Sequence, residues 1–307
     1  MYGRLGNQMF RYAFARALQE KCSESMTLSF QQVDALKGNA PGWENSLRYF
    51  QVKPFKIYEG QQKLMFSMTN PIQKLACVVH YLGLRKFSTD KMQEQYNYQC
   101  KFQPLLNRLG IYWMRQGYYD FKIGHTKNKL VSGSFESPRY FDAIRNKLLD
   151  EFTPIYSPLN KNREIYGIIE KLNSVCVTVR RGDFVDNPVN KRIHDLCTKE
   201  YFYKAMDIIS SKINEPVFIV FSDDIDWVKN NMQFKYKVFF ESGSDPIWEK
   251  LRMMYSCKHF ILSNSTFSWW AQYLSRNPNK TVISPSRWFN NNFKSFLISD
   301  DWIKILV

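Results

Sequence analysis

In the second half of the chain, short apolar runs alternate with helical patterns, and few folds accept that alternation. Runs rich in β-branched and aromatic residues at 175–180, 217–221, 237–240, 260–262 and 281–283 read as buried strands. Between them, 200–212, 226–232, 246–257 and 266–276 carry apolar residues at helical spacing. Strand alternating with helix predicts a parallel sheet with right-handed crossovers, since a right-twisted strand packs its helix back onto the sheet in that one sense. The expected architecture is therefore α/β, with a Rossmann-like unit at the C-terminal end. Pro154 and Pro158 mark 153–162 as the linker before it. A chain of 307 residues has room for two cored domains, here 1–155 and 156–307.

The first half is less periodic. Residues 7–22 form an expected helix with Met9, Phe10, Ala13, Phe14, Ala17 and Leu18 on one stripe. A short strand is expected at 26–30, and helices at 72–82, after Pro71, and at 139–152. Residues 53–130 are basic and aromatic, and no topology follows from them.

The strand at 175–180 ends in Arg180-Arg181-Gly182-Asp183. The carboxyl ends of parallel strands are where α/β folds bind ligands. Two arginines there form either a fork for a phosphate, through rigid bidentate donors, or a solvated ion pair with Asp183.

Three further segments carry chemistry. Gly3-Arg4-Leu5-Gly6-Asn7-Gln8 precedes the first helix, where backbone N–H groups bind anions; it equally suits a glycine turn capped by Asn7. It matches neither GxGxxG nor a P-loop. Ser222-Asp223-Asp224-Ile225-Asp226 follows a strand. Its DxD pair could hold a metal, its first residues could cap the next helix, or a carboxylate could meet a base or ribose; the nucleoside role is favoured over metal. Asn264-Ser265-Thr266-Phe267 opens the helix after 260–262, so hydroxyls and free amides could grip a phosphate, or simply cap the helix. Trp269 and Trp270 continue that helix, one of them as core. The polar turn 241–245 lies on the same edge, and His194 follows the arginines without a partner that would make it a base. Cations, carboxylates and hydroxyls on one sheet edge suit a nucleoside diphosphate.

The formal charge of +15 suits anionic partners: nucleotides, phosphorylated substrates, nucleic acid or an acidic membrane face. No helix-turn-helix, zinc or RNP pattern supports nucleic acid. No apolar run reaches the roughly 18–20 residues of a membrane span, and Arg4, Asn7, Gln8 and Arg11 break any signal-peptide core. Six dispersed cysteines without a CxxC pair suggest neither disulfides nor a metal cluster, and Cys176 reads as a buried strand residue. The expectation is a cytoplasmic protein whose basic surface allows peripheral contact with an acidic membrane.

Taken together, GRLGNQMFRYAFARAL at 3–18, VRRGDF at 179–184, VFSDDIDWVK at 220–229 and FILSNSTFSWWAQYLSRNPNKTVISPSRWF at 260–289 resemble inverting fucosyltransferases that use GDP-fucose. The chain is most similar to the bacterial α-1,2-fucosyltransferases of glycosyltransferase family 11. The resemblance implies a GT-B-like pair of Rossmann-like domains facing a cleft, with GDP-fucose on the C-terminal one and the acceptor on the N-terminal one. It also implies inversion without a metal, and acceptors that are terminal β-galactosides on oligosaccharides, O-antigen units or lipid-linked capsule and lipopolysaccharide precursors. By motif, Arg180 would neutralise the β-phosphate and Arg181 would support the loop or touch the nucleotide. Ser265, Thr266 and Phe267 would surround the diphosphate with Asn264 beside them, and Asp223 or Asp224 would meet the guanosine. Gly6, Asn7 and Gln8 would close on the donor. Asp183 is the expected catalytic base, with Asp186 second.

Two departures stand out. Thr178 occupies a position where the family usually has histidine, which excludes an imidazole base there. The family's glycine-rich segment usually follows an apolar strand, whereas here it follows Met1-Tyr2. Three rival readings remain: transfer from another GDP-sugar such as GDP-mannose, a catalytically dead homologue that binds GDP without turnover, and a basic nucleic-acid-binding protein.

Overall fold

Strand pairing divides the chain into separate parallel ladders. The computed structural model describes residues 1–307 except 39–41, 65–69, 89, 183, 184 and 186. Contacts gather into two units: Met1–Leu47, Lys53–Arg145 and Asn292–Phe296 form the first, and Arg48–Val52, Asn146–Asn291 and Leu297–Val307 the second. The change of unit thus falls upstream of the proline-bearing stretch. The reason is packing: Phe152, after the helix Arg145–Glu151, meets Phe50 and Trp270 edge-on, both of the second unit.

In the first unit, β1 (Thr27–Leu28) pairs with β2 (Lys56–Ile57), and β3 (Ile111–Met114) with β4 (Leu130–Gly133), each in parallel. The helix Leu5–Cys22 buries Met9, Phe10, Ala13 and Phe14 on its expected stripe, and Phe14 stacks on Phe135 at 3.9 Å between ring centroids. The helix expected at 72–82 spans Pro71–Leu84. The one expected at 139–152 is broken. Single 3-10 turns occupy Pro138–Tyr140 and Asp142–Ile144, and only Arg145–Glu151 is α-helical. Phe141 causes the break: its φ of −140° leaves the helical region, turning a buried ring toward Phe10. Within 53–130 lie the helix Met92–Arg108 and β3, and β4 begins at the end of that stretch.

The second unit is one six-stranded parallel sheet. It comprises β5 (Asn173–Val179), β6 (Pro216–Ser222), β7 (Val238–Phe240), β8 (His259–Ile261), β9 (Val282–Pro285) and β10 (Ile303–Ile305), in the spatial order β10-β9-β8-β5-β6-β7. Chain order therefore runs outward from β5 to one edge, then restarts at β8 toward the other. That is the dinucleotide-binding order, and its reversal between β5 and β8 opens a crevice at their carboxyl ends. Both β5 and β6 are buried along nearly their whole length, as strands covered by helices on both faces must be. Val175, Val177 and Val179 pack with Phe202, Ala205, Met206 and Ile209 of the helix Lys199–Ser210. Each of these buried side chains except the small Ala205 contributes about 1.5–3 kcal/mol. Both Trp269 and Trp270 are core, rather than one: they lie within the helix Thr266–Leu274, and Trp269 Nε1 donates to Leu297 O at 2.9 Å.

Candidate functional site

The switch point is tied together by Thr178. Its hydroxyl donates to Ile261 O at 3.4 Å and accepts from the Ser263 N–H at 3.0 Å, so it knits the ends of β5 and β8. The residue that departs from the family pattern thus holds the two loops in register.

The arginines leave β5 directly beside the carboxylates leaving β6, because Val179 pairs with Ser222. Arg180 Nη1 lies 2.7 Å from Asp223 Oδ2, and the Arg181 N–H donates to Asp223 Oδ1 at 2.9 Å. Gly182 has φ +26°, and a Cβ there would run into Asp223 Oδ2. Arg181 lies over the Trp227 ring, with Cζ 3.3 Å from the centroid, and its Nε is 3.6 Å from Asp224 Oδ2. That Nε is buried and meets no hydrogen-bond acceptor among the described residues.

Asp224 caps the helix Ile225–Asn231: it accepts from the Trp227 N–H at 3.2 Å, and its own N–H donates to Ser222 Oγ at 3.0 Å. The DxD pair is therefore partly a helix cap. Nothing in the sequence singles out Trp227 for a role, although its place three residues after the cap fixes it beside Arg181.

On the other side of the switch point, Val177 pairs with Ile261, so Asn264 stands as far past that pair as Arg180 does. Ser265 occupies the N-cap of the helix Thr266–Leu274 but makes no side-chain cap, and Ser265, Thr266 and Phe267 are half-buried. Uncapped first-turn N–H groups here face the loop end, where an anion is stabilised. Asn264 differs from expectation. Its Nδ2 donates to both His194 O and Trp288 O at 2.9 Å, which uses both amide hydrogens to hold neighbouring loops. His194 itself ends an unexpected helix, Pro188–His194, which Asn187 caps. In the turn after β7, Glu241 is buried and paired with Lys250 at 3.0 Å, and Asp245 with Lys161 at 2.7 Å. Both carboxylates are spent on structure.

In the first unit the helix begins at Leu5, so Gly6, Asn7 and Gln8 lie in its first turn rather than before it. Gln8 is fully buried: Nε2 donates to Gly3 O at 2.9 Å and Glu44 O at 2.7 Å, while Oε1 accepts from the Ser46 N–H at 3.1 Å. Its amide pins the 44–46 turn to the helix and has no donor left for a ligand. The Asn7 carbonyl accepts from Arg11 Nη1 at 3.1 Å, and Arg11 Nε donates to Gly133 O at 2.7 Å. Burial pushes the Glu136 carboxyl up to about 7 despite the nearby Arg11, a range suited to proton transfer that the sequence does not announce.

Asp183 and Asp186, the expected base and its alternative, lie outside the described residues, as does Phe184. Among the described residues no three His, Cys, Asp or Glu side chains converge as a metal cluster, and no helix is long and apolar enough to cross a membrane.

Two Escherichia coli relatives share this chain's full extent. The chain is 28% identical over 314 residues to the O-antigen biosynthesis glycosyltransferase WbnK of Escherichia coli, covering 99% of this chain and 98% of the relative. It is also 28% identical over 317 residues to an Escherichia coli alpha-1,2-colitosyltransferase, covering 99% and 96%. The galactoside alpha-(1,2)-fucosyltransferase 1 of Leontopithecus chrysomelas is 29% identical over 176 residues, covering 53% of this chain and 47% of its own. Residues 1–305 match the sequence model of glycosyl transferase family 11. With that match running through the arginine loop, the carboxylate loop and the hydroxyl-bearing helix start alike, the chain belongs to glycosyl transferase family 11.

Proposed function

We propose that this enzyme transfers L-fucose from GDP-fucose, with inversion, to O2 of a terminal β-galactose on an oligosaccharide or lipid-linked surface-glycan precursor such as an O-antigen unit. The observation that carries the reading is the pairing, across one switch point, of the Arg180–Arg181 fork after β5 with the uncapped helix start at Ser265–Thr266 after β8. A diphosphate has the charge for both.

In the transfer, the C1–O bond to the β-phosphate breaks and its electron pair stays on the phosphate oxygen. Arg180 and the amides at Thr266 and Phe267 stabilise that growing charge, being already oriented before the bond breaks. Arg181, its guanidinium held over Trp227, supports the loop and adds its positive charge on the diphosphate side. Phe267 packs beside it. Asp224, whose side chain is 44% exposed, accepts from the guanosine. As the acceptor oxygen bonds to C1 from the opposite face, its proton passes to a carboxylate, for which Asp183 is proposed. The arginines supply the positive charge a metal would otherwise bring, so transfer proceeds without one.

A second reading keeps the site and changes the sugar to colitose, the 3-deoxy counterpart of fucose. It is favoured by the full-length likeness to an alpha-1,2-colitosyltransferase. The test is GDP release from GDP-fucose in EDTA, with and without lactose, N-acetyllactosamine or lacto-N-biose. Acceptor-dependent release supports fucosyl transfer. Release only from the 3-deoxy donor supports the second reading, and release from neither donor with any acceptor contradicts both.

A further inference from the structure

The helix Pro71–Leu84 turns a mixed polar stripe inward and an apolar one outward. Its start is fixed by a capping box between Asn70 and Gln73, with Pro71 in the first turn. The buried residues are Gln73, Cys77, His80 and Leu84, one helical face. Gln73 Nε2 donates to Leu109 O at 2.6 Å, His80 stacks on Tyr98, and Cys77 and Leu84 pack with Leu106, Ile111 and Trp113. On the opposite face Ile72 is 66% exposed, Leu75 64%, Val79 53% and Leu82 53%, with Val78 and Tyr81 exposed beside them. A surface helix of a globular protein normally presents polar residues there, and a contiguous apolar face marks a contact site.

Charge identifies the partner. Lys74 is the one charged residue of the helix, and Arg85 and Lys86 follow its last turn; all three are exposed. The neighbouring helix Met92–Arg108 adds exposed Lys101 and Arg108, while the acidic Glu94 is paired with Lys91 at 3.4 Å. An apolar strip rimmed by cations matches the acyl boundary and headgroups of anionic lipid. A second copy on the same face would set these cations against their own counterparts. The helix has 14 residues, short of the roughly 20 needed to span a bilayer, so it lies in the interface plane.

We propose that the outer face of the helix Pro71–Leu84 docks on an anionic lipid surface, with Ile72, Leu75, Val79 and Leu82 in the acyl boundary and Lys74, Arg85 and Lys86 at the headgroups. The test is co-sedimentation of the full chain with phosphatidylcholine vesicles and with vesicles carrying roughly 30% phosphatidylglycerol, a typical anionic surface. The wild-type protein pellets with the anionic vesicles and is released by salt. The double variant Leu75→Ser with Leu82→Ser partitions about tenfold or more weakly, while its circular dichroism melt matches wild type. Lys74→Glu with Lys86→Glu also weakens binding to the anionic vesicles. Wild-type protein left in the supernatant, or a serine variant that pellets equally, overturns the proposal. A wild-type dimer in sedimentation velocity that the serine variant dissociates overturns it too, since a second copy then covers the face.

Discussion

Asp223 holds Arg180 by one oxygen and the Arg181 main chain by the other: Oδ2 stands 2.7 Å from Arg180 Nη1, and Oδ1 accepts from the Arg181 N–H at 2.9 Å. A single carboxylate from β6 thus aims the arginine loop of β5. Arg180→Ala is expected to lower kcat about 10²–10³-fold, the scale for losing one preorganised charge-stabilising group. Asp223→Asn keeps the shape but weakens the aim, and about a tenfold loss of kcat/KM is expected, in line with one charged hydrogen bond. Steady-state kinetics on both variants checks this; a near-normal Arg180→Ala rate removes its assigned role.

Gly182 lets the loop pass this carboxylate. With φ +26° and Asp223 Oδ2 where a Cβ would sit, Gly182→Ala must displace either the backbone or Asp223. Folding stability should fall by about 1 kcal/mol or more in denaturant titration, with GDP affinity falling alongside it. Unchanged affinity would separate the loop from the nucleotide.

Thr178 makes a different kind of prediction. Thr178→Val keeps the volume but strips the Ser263 N–H of its partner in a buried place. The expected cost is about 1–3 kcal/mol of stability, the penalty for an unsatisfied buried donor. Equal denaturation midpoints would show that the strand ends do not need the bridge.

The second unit was legible because its strands are buried on both faces, which leaves unbroken apolar runs such as Val175–Val179. β10 leaves no signal in the sequence because Ile303 and Ile305 flank a lysine in a three-residue strand, too short for periodicity to register. Gln8 and Asn264 show a different limit. An amide that binds a ligand and one that pins a loop look alike in sequence, and only the partners Gly3 O, Glu44 O, His194 O and Trp288 O tell them apart. In the first unit, Phe141 breaks an apparently continuous helix, and polar residues such as Gln73, Gln99 and Gln103 are buried on helical faces, which blurs the apolar stripe.

His80 should make stability depend on pH. Burial first, and then Arg115, lower its imidazole from 6.5 to about 4, between Tyr98 and Trp113. The unfolded chain therefore binds a proton in that window that the folded chain does not. Stability from the neutral ring is full above 6.5 and is lost as pH falls toward 4. His80→Phe keeps the aromatic packing and should flatten this part of the acid limb in thermal melts at several pH values. An unchanged limb would show that the ring is already protonated when folded.

The central claim is that the β-phosphate of a guanosine diphosphate lies against Arg180 at the β5–β8 switch point. Calorimetric titration of GDP and GMP into wild type and Arg180→Ala tests it most directly. Wild type should bind GDP well above GMP, and the variant should bring the two close together by losing GDP affinity alone. Equal GDP and GMP binding by the wild type, or a variant that keeps the wild-type preference, would contradict the account.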